Sequence, residues 1–133
     1  MYSSDKLRLI DNETFTLKIS EDRDFKILQL TDLHLGFGLL SKGKDRLAMD
    51  AVTKIIEKSK PDLIVLTGDS IYPFLPQSGT INNRKQANKL MAFLDSFEIP
   101  YTPVFGNHDC EMGSTCGKEE LAELFKKGRY SIF

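Results

Sequence analysis

The chain has 133 residues, with 18 Lys+Arg against 19 Asp+Glu and a formal net charge of -1. That length makes about one domain, able to bury roughly two thirds of its unfolded surface. With 41% hydrophobic and 28% charged residues the composition excludes a disordered chain, the charge balance leaves no net basic footprint for nucleic acid, and no apolar run is long enough to span a membrane as a helix. The start, Met1 to Lys6, lacks the basic opening and apolar stretch of a signal peptide, so a cytoplasmic protein is expected. Cys110 and Cys116 do not make a disulfide framework and read as two reduced loop thiols. A metal role for Cys110, next to Asp109, is the weaker alternative.

In chain order, Leu7 to Ile10 and Phe15 to Ile19 predict a hairpin around Asp11-Asn12-Glu13. Glu21 to Asp24 is a polar connection. Phe25 to Thr31 is apolar at most positions and predicts a strand buried on both faces. Gly36-Phe37-Gly38 and Gly43 mark a loop. A helix is expected from about Lys44 to Lys60, with Leu47, Ala51, Val52, Ile55 and Ile56 inward and Pro61 ending it. Asp62 to Thr67 is a second buried strand, and 70–80 a loop. A helix over about Asn82 to Phe97 carries an apolar stripe of Ala87, Leu90, Met91, Leu94 and Phe97. Tyr101 to Phe105 is a third strand and Cys110 to Gly117 a loop. Lys118 to Lys127 is a short helix stopped by Gly128, and Tyr130 to Phe133 begins another strand. This alternation predicts an α/β fold, a mostly parallel sheet with flanking helices, in one domain: hairpin and linker over 1–24, motif-bearing unit over 25–133.

Three of the strands run into polar residues of one chemical kind: Asp32-Leu33-His34, Gly68-Asp69, and Gly106-Asn107-His108-Asp109. Asp69 follows Asp32 by 37 positions and Asn107 follows Asp69 by 38, each gap the size of one crossover unit. Ligands of open parallel sheets bind beyond the carboxyl ends of the strands. In an extended chain Asp32 and His34, two apart, point to the same side. Two carboxylates brought that close repel unless a cation or proton lies between them. His34 and Asn107 add neutral donors, a mixed oxygen and nitrogen set that suits Mn, Fe or Zn better than Ca. Asp69, central in the order, is the candidate bridge between two metals. His108 is the candidate proton donor to a leaving oxygen, and Asp109 either orients it or is an ordinary loop carboxylate.

These residues resemble the calcineurin-like metallophosphoesterase superfamily. The flanks Ile27-Leu28-Gln29-Leu30-Thr31-Asp32 and Pro61 to Asp69 are similar to the branch of phosphohydrolases related to purple acid phosphatases. The resemblance covers about residues 25–133, the N-terminal half of that family's domain. It implies half of a four-layer α/β/β/α sandwich and hydrolysis of a phosphate ester by a metal-bound hydroxide. It also implies Asp32 and His34 on the first metal, Asp69 bridging, Asn107 on the second, and His108 as the catalytic imidazole. Gly68-Asp69-Ser70-Ile71-Tyr72 fits a Gly-Asp-x-x-Tyr pattern in which the tyrosine binds ferric iron, although those enzymes lack the histidine present here as His34.

The family also takes histidines from a later Gly-His-x-His motif, whereas this chain has only His34 and His108. The expectation is therefore an N-terminal fragment, inactive alone, with a partly filled or empty metal site. Its uncovered sheet face is expected to drive self-association. The alternatives are a non-catalytic metal-binding module and, against the charge balance, a nuclease.

Overall fold

The computed structural model describes residues 7–9, 11, 14–19 and 21–133. Strand β1, Leu7–Leu9, pairs antiparallel with β2, Phe15–Leu17, as the hairpin pattern predicts. Ile10 at the end of the predicted first strand, Asn12 and Glu13 of the predicted turn, and the opening Met1 to Lys6 lie outside the described residues. A separate parallel sheet follows, built from β3, Ile27–Leu30, β4, Leu63–Thr67, and β5, Tyr101–Val104, in that order. The register aligns Leu28 with Ile64 and Tyr101, and Leu30 with Leu66 and Pro103.

Three helices cross between or after these strands: α1, Lys42–Ser59, α3, Asn83–Asp95, and α4, Lys118–Phe125. A one-turn helix α2, Leu75–Ser78, opens inside the stretch expected to be loop, with Pro76 in its first turn. Right-handed crossovers between sequential neighbours place successive helices on one face. One core results. Leu30, Ile64, Leu66 and Tyr101 of the sheet meet Val52 and Ile56 of α1, Ala87, Leu90 and Leu94 of α3, and Leu121 and Phe125 of α4. The other face is bare: Ile27 is 60% and Val104 56% exposed. The strand expected to be buried on both sides thus alternates, because among the described residues no helix lies on its second face. Tyr130 to Phe133 is not a full strand; Ser131 makes a single parallel bridge to Tyr101.

The inward face of α1 also differs from expectation. Leu47 is 68% and Ile55 44% exposed, and Ala51 is exposed too, while Asp45, Val52 and Ile56 are buried. The cause is polar. Asp45 accepts from Gly36 N (2.9 Å), Phe37 N (2.7 Å) and Ser41 Oγ (2.8 Å), and so turns its own side of the helix inward. A stripe of apolar residues could not reveal a face led by a carboxylate. Among the described residues no helix is long and apolar enough to cross a membrane.

Helix α1 ends at Lys60, in the left-handed region at φ 48°, and Pro61 prevents its continuation. Just beyond, Asp62 holds the polar connection before β3. Arg23 donates to both its oxygens, from Nη1 at 2.7 Å and Nη2 at 2.8 Å, and Lys26 N donates at 2.9 Å. The Arg23 hydrogen bonds, foremost, hold the Asp62 carboxyl at about 2. A folded value below the ordinary one, about 4 for aspartate, means that the contribution is present above that pH and fades as the pH falls toward the folded value. Asp62→Asn should therefore flatten the acid limb of a urea midpoint against pH profile between about pH 4 and 2. An unchanged limb would assign acid sensitivity to other carboxylates.

Candidate metal centre

The strand ladder does not simply stop at the rim. Beyond β3 and β4 the backbones stay laced: Asp32 N donates to Gly68 O (3.1 Å), His34 N to Asp69 O (3.0 Å) and Leu35 N to Ser70 O (3.1 Å). The segments between are not extended, however. Asp32, His34 and Asp69 all have positive φ, at 54°, 47° and 51°. Asp and His enter this left-handed region more readily than most residues. The same-side placement of Asp32 and His34 thus comes from this kinked backbone, not from strand alternation.

Two glycines let the β4 and β5 ends approach. Gly68 has φ 110°, and a Cβ there would meet Gly106 Cα and N at 3.1 Å. A Cβ on Gly106 would stand 2.0 Å from Asp69 Oδ1, so no side chain fits between the two motifs. His108 N then donates to Asp69 Oδ1 at 2.8 Å.

Asp109 supplies the return contact. It is 1% exposed. Its Oδ2 accepts from Asp69 N (2.9 Å) and Gly106 N (2.7 Å), and its Oδ1 from Ile71 N (2.9 Å). The role of orienting the His108 ring, one of the two expected for Asp109, is corrected here, because its carboxylate is turned onto backbone amides. Glu111 takes that role: its Oε1 meets His108 Nδ1. That contact engages Nδ1, and Nε2 is the ring nitrogen it leaves free. The spacing His-x-x-Glu was the available signal, hidden in a stretch assigned to plain loop.

At the rim, ring nitrogens of His34 and His108 and a carboxylate oxygen of Asp69 lie within 4.8 Å of one another. His34 Nε2 is 3.7 Å from Asp32 Oδ1 and 3.9 Å from Asp69 Oδ2. Asn107 is exposed, between Gly106 and His108, the two residues packed on Asp69. The structure therefore brings Asp32, His34, Asp69 and His108 together and places Asn107 beside them. Tyr72 joins them through its ring, 5.2 Å from His34 and 4.8 Å from His108 between centroids. Two imidazoles and the Asp69 carboxylate around one gap, with Asp32 beside His34, suit a cation that takes mixed nitrogen and oxygen ligands.

Sequence reasoning missed a further set of residues behind this rim. Asn83, fully buried, donates to Asp109 O (3.1 Å) and Cys116 O (2.7 Å) and accepts from Cys116 N (2.8 Å). Gln86 donates to Gly36 O (2.6 Å) and Tyr72 O (3.1 Å). Both were hidden as polar breaks in the stripe of α3. Cys110 stands apart from the cluster. Burial first, then the Asp109 charge, pushes its thiol up from the ordinary value, away from the thiolate that binds metals.

Removing the Asp109 carboxylate leaves three backbone N–H groups without acceptors, at a cost of about 1–3 kcal/mol each when buried. Asp109→Ala should lower the unfolding free energy by about 3 kcal/mol or more in urea titrations. A loss under about 0.5 kcal/mol, usual for surface sites, would remove Asp109 from the scaffold.

The model of the calcineurin-like phosphoesterase family matches residues 25–132. Similar proteins include one named "Probable inactive purple acid phosphatase 28" from Arabidopsis thaliana, 30% identical over 96% of this chain and 33% of its own length. "Phosphatase DCR2" from Saccharomyces cerevisiae is 30% identical over 95% of this chain and 23% of its own. An "Uncharacterized metallophosphoesterase" from Aquifex aeolicus is 30% identical over 74% of this chain and 33% of its own. The chain thus spans a third or less of the length of these curated relatives. Metallophosphoesterases use divalent metals, and the donor set at this rim fits them. With the match over most of its length and a parallel sheet that gathers the matched motifs, the chain belongs to the calcineurin-like phosphoesterase family.

Proposed function

We propose that this chain carries the first half of the catalytic site of a metal-dependent phosphohydrolase. The observation that supports it best is the meeting of His34, Asp69 and His108, from three strand ends, within 4.8 Å. In this reading Asp32 and His34 would hold one metal, Asp69 would be shared with a second, and Asn107 would bind that second ion; Mn, Fe or Zn suits the donors. Bound metals supply Lewis-acid polarisation of a phosphoryl oxygen and activation of water. His108, oriented by Glu111, presents Nε2 to the substrate and passes a proton to the leaving oxygen. Asp109 is a positioning residue, acting through the backbone of Asp69 and Gly106. Tyr72 is a ring wall, its centroid 5.2 Å from that of His34 and 4.8 Å from that of His108.

Two measurements test the assignment. Calorimetric titration of the chain with Zn2+ or Mn2+ should show binding that falls about tenfold or more in Asp69→Asn. Hydrolysis of 4-nitrophenyl phosphate by the full-length protein should fall by about 10²–10⁴ in His108→Ala, and less in Glu111→Gln, with metal affinity kept. Loss of metal binding in His108→Ala would instead make His108 a ligand. No metal binding by the unmodified chain and no hydrolysis would defeat the proposal.

The bare sheet face favours a second reading, that this chain alone is a self-associating, non-catalytic module. Ile27 and Val104 lie on that face, and Phe25 and Phe133 are also more than a third exposed. Light scattering should then give a concentration-dependent mass, which Ile27→Lys reduces to that of one chain. A monomer at every concentration would reject this reading.

A further inference from the structure

A second recess opens directly beside the candidate centre. A cavity of about 280 Å³ shares His34 and Tyr72 with it and is walled further by Leu33, Lys44, Ala48 and Gln77. Single waters occupy roughly 30 Å³ of liquid, so this space takes a small organic group.

The polar lining of this cavity is largely committed to the protein. Asp45 is engaged by Gly36, Phe37 and Ser41. Ser78 Oγ donates to Phe74 O at 2.9 Å and Thr80 O at 2.8 Å. Lys44 is different. The ion pairs formed by the cationic side chains among the described residues use Arg23, Arg84 and Lys126, and none engages Lys44. Lys44 also stands in the first turn of α1, where the positive end of the helix dipole adds to its field. The cavity thus combines an apolar side, made by Leu33, Ala48 and the Tyr72 ring, with one uncommitted cation.

We propose that this cavity receives the alcohol part of the substrate, and that Lys44 selects phosphate esters whose alcohol part bears a second negative charge. The proposal rests on the phosphohydrolase reading, since the scissile phosphate must sit at the rim for its alcohol part to reach the recess. An ester with a neutral alcohol part fills the same apolar wall and leaves the ammonium unpaired. One with a carboxylate or a second phosphate pairs it.

The test is calorimetric binding of three probes to the Zn2+-loaded chain: phenyl phosphate, 4-carboxyphenyl phosphate and 4-(aminomethyl)phenyl phosphate, with inorganic phosphate as the anchor control. The carboxy probe should bind about fivefold tighter than phenyl phosphate, the gain of a partly screened ion pair. Lys44→Glu should invert the ratio of affinities for the carboxy and aminomethyl probes, and Lys44→Met should bring it near one. Lys44 is exposed on a helix, so either variant keeps the fold. A ratio unmoved by both substitutions overturns the role of Lys44 while leaving the phosphohydrolase reading intact. Failure of inorganic phosphate itself to bind the loaded chain overturns both.

Discussion

A parallel sheet loses its hydrogen-bond ladder where its strands end, which is where this fold gathers its chemistry. The Asp109 carboxylate makes good that loss between β4 and β5. It takes the amide hydrogens of Asp69, Ile71 and Gly106, so one side chain determines how two strand ends face each other. Asp69 reciprocates through its own carboxylate to His108 N. Neither contact involves the open ring nitrogens. The distance between Asp69 and His108 is thus set by backbone amides and by the Asp109 and Asp69 carboxylates, without the imidazole rings, and burial of Asp109 strengthens its hydrogen bonds by excluding water.

The same division recurs around the rim. Asp45 steadies the turn at Gly36 and Phe37, Asn83 ties the segment from Asp109 to Cys116, and Gln86 joins Gly36 to Tyr72. All three project from helices on the covered face of the sheet, so they carry the rigidity of the core outward to the loops. The groups left for chemistry, Asp32, His34 and Asn107, stay exposed.

Legibility in the sequence follows this division. The spacing of 37 and 38 positions between motifs exposed the crossovers, and the residue types at the strand ends exposed the rim. What stayed hidden was whatever depends on a polar group acting as core. Asp45 rotated α1 away from its apolar stripe. Asn83 and Gln86 looked like interruptions in α3. Asp109, adjacent in sequence to His108, was naturally paired with it, yet turns inward, while Glu111 at three positions further reaches the ring. Periodicity ranks residues by hydrophobicity and so cannot distinguish a solvated carboxylate from a buried one that accepts three backbone amides. An apolar strand looks the same whether its outer side is covered or not, so the bare second face was expected only through the resemblance, which reaches half of that family's domain.

Backbone strain gives the last step. Left-handed φ costs a non-glycine residue on the order of 1 kcal/mol or more, and it occurs at Asp32, His34 and Asp69 together. Such a conformation persists only where its surroundings over-determine it. Here they do: Asp32 N and His34 N remain bonded to Gly68 O and Asp69 O across the break, and Asp109 holds Asp69 from behind. The kink brings side chains of like charge, Asp32 and Asp69, to either side of one imidazole at 3.7 and 3.9 Å. A fold selected only for stability gains nothing from that juxtaposition. A fold that must present a ready-made donor set to a cation gains its preorganisation, because the cost of bringing the carboxylates together is met by the core before the ion arrives.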